Sequence, residues 1–114
     1  MTKNERLQDM VGENETQFQL AVIAYAKLRG WRIAHFRPAW TGKGWRTPVQ
    51  ADGAGFPDLI MTRGDRLVIA ELKSKQGKVS DEQQAWLDAF TLIRDAEVYV
   101  WRPEDRDEIE EVLR

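Results

Sequence analysis

Three residues carry the groups for a hydrolytic site: Asp58 in "GFPDLIM" (55–61), and Glu71 and Lys73 in "LVIAELKSK" (67–75). The Gly64-Asp65 pair between the two stretches favours a hairpin. Counted from its centre, Asp58 lies between six and seven residues back and Glu71 between six and seven forward. Both carboxylates are then expected at the open end of the hairpin. Strand side chains two apart share a face, so Glu71, Lys73 and Lys75 are expected on one side and Leu72 on the other. Two carboxylates about 4 Å apart, at an effective dielectric near 20, repel by on the order of 4 kcal/mol. Lys73 alone can offset this as a structural ion pair. A divalent cation does so better, since Mg²⁺ prefers hard oxygen ligands and takes one or two carboxylates with several waters. Such an ion stabilises charge on phosphoryl oxygens and lowers the pKa of a water it binds. A lysine beside it orients that water or stabilises developing negative charge. From spacing alone, an exposed hairpin end with an ordinary salt bridge explains the same residues.

The surrounding sequence supplies elements to hold these groups. Residues 1–13 are polar, lack a clear period and read as a flexible arm. From Asn14 to Arg29, Phe18, Ala21, Val22, Tyr25 and Leu28 recur at helical steps; Asn14 or Thr16 can cap this helix and Gly30 can end it. "WRIAHFR" (31–37) alternates as a strand does, with Trp31, Ile33 and His35 on one face; that parity suits packing better than catalysis for His35. "FPDLIMT" (56–62) is a second strand, with Pro57 near its start where a missing N–H is tolerated. The strand from Leu67 is the third. A helix from Asp81 to Ile93 follows, with Ser80 as N-cap, Gln83 as a capping-box partner, and Trp86, Leu87, Phe90 and Ile93 as its buried stripe. "EVYVW" (97–101) is a fourth strand, and "EDRDEIEEVLR" a final helix opened by Pro103. The order is α-β-β-β-α-β-α, an α/β domain spanning 14–114 with a small mixed sheet flanked by helices.

Composition narrows the classes. A chain of 114 residues suits one compact domain. No run approaches a membrane span, no signal peptide is visible, and the absence of cysteine fits a reducing cytosol. A single histidine makes a nitrogen-and-sulfur zinc site improbable. Net charge is −2, yet no acidic residue falls between Glu15 and Asp52, where Lys27, Arg29, Arg32, Arg37, Lys43 and Arg46 gather. Such segregation can give a local positive field, or can be chance clustering on a solvated face. The Gly- and Pro-rich stretch 38–55 reads as a long loop, which is functional or disordered in most small domains. Its Trp40 and Trp45 with Lys43 and Arg46 suit single-stranded or splayed DNA, and equally suit self-packing or a dimer contact. Lys75 and Lys78 are solvated charges or phosphate contacts.

"GFPDLIM" followed by "AELKSK" resembles the PD-(D/E)XK nuclease superfamily at Pro57, Asp58, Glu71, Leu72 and Lys73. The element order agrees with that superfamily's core. "GKVSDEQQAWLDAF" (77–90) and "VYVWRP" (98–103) narrow the resemblance to the VRR-NUC family, over about Glu15 to Leu113. The resemblance implies Asp58 and Glu71 as metal ligands, the Leu72 backbone carbonyl as a further one, and Lys73 as the catalytic lysine. It also places Glu15 near the metal and Gln83 near the active site. Each has a plainer explanation: Glu15 favours the positive end of its helix, and Gln83 completes a capping box.

The implied activity is Mg²⁺- or Mn²⁺-dependent hydrolysis of DNA phosphodiesters, with Lys43, Arg46, Lys75, Lys78 and Arg37 as DNA contacts. Without a separate DNA-reading domain, the resemblance suggests a homodimer acting on branched or four-way junction DNA, in the cytoplasm of a bacterial or phage-infected cell. Rival readings are a binding module with the same fold and little activity, a nuclease subunit needing a protein partner, and a structural domain with a hairpin salt bridge.

Overall fold

A computed structural model of the chain describes residues 15–36, 39–40, 42–46 and 49–114. The expected arm at 1–13, and Arg37, lie outside those residues. Among the described residues the elements are α1 (Glu15–Leu28), β1 (Arg32–His35), β2 (Ala39–Trp40), β3 (Trp45–Arg46), β4 (Leu59–Arg63), β5 (Arg66–Leu72), α2 (Asp81–Thr91), β6 (Ala96–Trp101) and α3 (Arg106–Leu113). A single 3₁₀ turn, Pro103–Asp105, precedes α3. The main sheet has the order β1-β4-β5-β6, antiparallel except for the parallel β5–β6 pair. It is the expected mixed sheet with helices around it, in an α/β arrangement. The added β2–β3 hairpin sits inside the stretch read as loop, pairing Ala39 with Arg46 and Trp40 with Trp45.

Local chemistry accounts for the boundaries. Gly30 has φ +86 and follows α1. Its N–H donates to the Lys27 carbonyl and that of Trp31 to the Ala26 carbonyl, the bond pattern of a Schellman ending. At α2, Ser80 Oγ accepts from Gln83 N–H while Gln83 Oε1 accepts from Ser80 N–H, so the capping box forms as expected. The β4–β5 turn has only Gly64 and Asp65 between the paired Arg63 and Arg66, with Gly64 at φ +60.

Three expectations need correction. β4 begins at Leu59 rather than 56, because Pro57 brings no N–H to the ladder. β5 ends at Leu72, so Lys75 lies in a turn closed by Gly77 N–H on the Ser74 carbonyl and shares no strand face with Glu71. α2 stops at Thr91, which leaves Ile93 52% exposed and out of the helix's buried stripe.

Two layers of apolar packing enclose the sheet. On one face Leu59, Met61, Val68, Ala70, Leu72 and Trp101 meet Phe18, Val22 and Ala26 of α1 and Ile109 and Leu113 of α3. Each fully buried Val, Leu, Ile, Phe or Met side chain among them contributes roughly 1.5–3 kcal/mol. The Trp31 indole N–H donates to the Leu113 carbonyl at 2.8 Å, which ties α3 to the start of β1. On the other face, alternation directs Ile60 and Ile69 toward the α2 side. There Phe56 packs edge-on against Phe36, Trp86 and Phe90. β5 is therefore covered on both faces, and all five of its last residues are buried.

Candidate active site

Register brings the two carboxylates together. Leu59 pairs with Ala70, so the next position outward sets Asp58 opposite Glu71, on the α2 face of the sheet. Asp58 is fixed from two sides. Its carbonyl accepts from Phe36 N–H at 2.8 Å, which prolongs the β1–β4 ladder. Its Oδ2 accepts from Leu72 N–H at 2.7 Å, filling the place where Pro57 ends the β4–β5 ladder. The side chain thus acts as a strand partner and stays aimed at the end of β5.

Glu71 is only 1% exposed, and its Oε2 has no hydrogen-bond partner among the described residues. A buried carboxylate without a partner is costly. Burial foremost, then the hydrogen bond to Asp58 and the charges of Asp58 and Glu15, push the Glu71 carboxyl up to about 9; Lys73 works in the opposite direction. At neutral pH Glu71 is therefore held protonated, and a cation placed between the carboxyls would reverse that balance.

The Leu72 peptide completes the edge. Lys73 N–H donates to the Trp101 carbonyl on β6 at 2.9 Å. No cis peptide occurs among the described residues, and a trans peptide points its carbonyl opposite its N–H. The Leu72 carbonyl therefore faces the β4 side, where Asp58 stands. Lys73 follows directly, half-buried, past the end of the strand.

The remaining expected residues divide. Glu15 is exposed at the first position of α1, and its charge reaches Glu71. No three His, Cys, Asp or Glu side chains form a metal-holding group among the described residues. The pair of Asp58 and Glu71 still suits Mg²⁺, which keeps several waters. Gln83 serves the capping box through its Oε1. Lys75 and Lys78 are exposed after β5, and Lys43 is exposed between β2 and β3. The side chain of Arg46 lies outside the described residues, as does Arg37 altogether.

Two further residues shape the site without having drawn notice in the sequence. Gly55, at φ +78, lies so near α2 that a Cβ there would stand 2.6 Å from Gln83 N and from Glu82 C. Only glycine allows this approach, which sets the α2 N-terminus beside the segment leading to Asp58. Its signal was the Gly in "GFPD". Arg102, at the end of β6, holds the turn after Lys73; a lone Arg in "VWRP" gave no sign of that.

A paired-carboxylate edge with a lysine on a mixed α/β sheet is the arrangement of a PD-(D/E)XK-type nuclease fold. Residues 3–103 match the VRR-NUC domain, and the chain belongs to that family. VRR-NUC belongs to the PD-(D/E)XK fold, and the domain is a nuclease domain, which binds nucleic acid. The match begins before Glu15 and stops at Pro103, so α3 lies beyond it, unlike the span to Leu113 expected from the motifs. The chain matches no curated protein and no solved structure. No helix among the described residues is long and apolar enough to cross a membrane.

Proposed function

We propose that the protein is a divalent-metal-dependent DNA endonuclease. The observation that carries this reading is the buried Glu71 Oε2, unpartnered and opposite Asp58, at the edge of a nuclease domain. Asp58, Glu71 and the Leu72 carbonyl are hard oxygen donors and would hold Mg²⁺ or Mn²⁺. When bound, the ion supplies Lewis-acid stabilisation of phosphoryl charge and a more acidic water. Asp58, locked to Leu72 N–H, keeps the donor set from collapsing. Lys73 places its ammonium beside Glu71, where it orients the attacking water and stabilises charge developing on the scissile phosphate. Glu15 adds negative charge at the mouth, and exposed Lys75 and Lys78 suit phosphates alongside. Branched or four-way DNA is the proposed substrate class, cut by a homodimer whose two-fold axis presents one site to each of two strands.

Cleavage of labelled duplex, flap, single-stranded and four-way DNA with Mg²⁺ or Mn²⁺ tests this. Wild type should cut at least one, and the four-way form best, while Lys73→Ala and Asp58→Ala should not. A wild type that cuts none, or variants that cut equally well, ends the assignment.

A further inference from the structure

Lys73 stands just beyond the last residue of β5, where the sheet no longer constrains the chain on both sides. Among the described residues its backbone is held at one point, by its N–H on the Trp101 carbonyl. The four residues after it reverse direction in the turn closed by Gly77 N–H on the Ser74 carbonyl at 3.2 Å. That contact is long for a backbone bond. A flexible four-carbon side chain on such a support would sample many positions.

Arg102 supplies the missing support. Its Nη1 donates to the Ser74 carbonyl at 2.8 Å and to the Gly77 carbonyl at 2.6 Å. One guanidinium nitrogen thus bridges both ends of the turn. Arg102 is itself anchored, because its N–H donates to Asp105 Oδ2 at 2.8 Å. The turn in turn bears on the lysine. A Cβ on Gly77 would stand 3.5 Å from Lys73 Cδ, an ordinary contact distance, so the Lys73 stem runs alongside the Gly77 end of the turn.

We infer that Arg102 is a positioning residue, which clamps the 74–77 turn and so holds Lys73 against Gly77 with its ammonium toward the Glu71 edge. Trp101 and Arg102, consecutive at the end of β6, act as a pair: one fixes the Lys73 peptide, the other the floor under its side chain. Asp105 sets the clamp from behind. This role rests on the nuclease reading for its effect on catalysis, but the clamp itself is measurable without it.

The test compares wild type, Arg102→Gln, Arg102→Lys and Asp105→Ala in two measurements. The first is DNA cleavage with Mn²⁺, separated into kcat and KM. Misplacement of a catalytic group by about 1 Å costs about 100-fold. Arg102→Gln should therefore lose about 100-fold in kcat with KM little changed, and Arg102→Lys should recover part of it. The second is the acylation rate of Lys73, mapped by mass spectrometry, with exposed Lys27 on α1 as internal reference. Arg102→Gln should raise Lys73 labelling and leave Lys27 unchanged. Should Arg102→Gln fail to fold, Asp105→Ala carries both readouts in the same direction with smaller size. An unchanged Lys73 labelling rate, or a loss confined to KM, overturns the inference. If wild type cuts no DNA while Lys73 labelling still rises in Arg102→Gln, the nuclease reading fails and the clamp stands.

Discussion

The β4–β5 hairpin has two ends that treat charge in opposite ways. At its turn, Arg66 on β5 makes two bonds to Glu97 on β6, at 2.8 and 2.7 Å, and Tyr99 donates to the same carboxylate. Arg66 and Arg63 also lie over the Trp31 ring, at 4.9 and 4.5 Å from its centroid. The hydrogen bond from Arg66 holds the Glu97 carboxyl below its ordinary range, and the same bond raises Arg66. At the open end, Glu71 faces another carboxyl, keeps an unpartnered oxygen and is pushed up to about 9. Both glutamates border one strand pair, so the difference is one of partners and burial. Charge at the turn end is satisfied and serves stability. The open end keeps a protonated Glu71 with an unpartnered oxygen, in a place where a cation would take over from the proton.

The largest effect should follow from removing charge at the open end. Lys73→Ala should lower kcat on the order of 10²–10³-fold, the size seen when one preorganised charge-stabilising donor is lost, and Asp58→Ala should lower it at least as far. Single-turnover cleavage at saturating Mn²⁺ measures this. Loss restricted to one of the two would break the pairing of carboxylate and lysine.

A second, intermediate effect is on stability against pH. Folded Glu71 titrates near 9 against an ordinary 4.5, so the folded state keeps a proton that the unfolded state releases between those values. The stabilising contribution is complete below the unfolded value and is lost as pH rises through about 9. In chelator, unfolding free energy should fall over this window with a slope up to about 1.4 kcal/mol per pH unit from this group. Glu71→Gln should flatten the slope, and denaturant midpoints at several pH values check it. An equally steep Glu71→Gln profile would assign the slope elsewhere.

The smallest effect belongs to the turn end. Its ion pair is partly solvated, with side chains 34% and 28% exposed. Glu97→Ala should cost about 1 kcal/mol or less. Cleavage should stay at the wild-type rate, since the pair lies at the far end of the hairpin. A marked fall in kcat would show that the two ends are coupled.

Much of the site could be read along the chain because its parts are local. Gly64-Asp65 sets a two-residue turn, and a fixed turn makes the pairing of Asp58 with Glu71 a matter of counting. Ser80 and Gln83 meet because three helical residues bring them onto one turn. The β2–β3 hairpin escaped notice, since strands two residues long carry too little alternation to register. The exposure of Ile93 was hidden for a different reason. Its spacing continues the α2 stripe, yet the helix ends at Thr91 with Leu92 88% exposed, and a stripe has no say over where its helix stops.

The sequence by itself determined the turn, the caps, the alternation that puts Asp58 and Glu71 on one face, and the family to which those residues point. Each depends on neighbours within a few positions, where backbone geometry is periodic. Tertiary structure alone decided the rest. Burial of Glu71 needs β4, β6 and α2 to close around β5. The Asp58 bond to Leu72 N–H needs β4 to stop two residues short of the end of β5. Arg102 reaches the turn after Lys73 only because β6 lies parallel to β5 and ends beside it, a contact across 25 and 28 residues that no local pattern encodes.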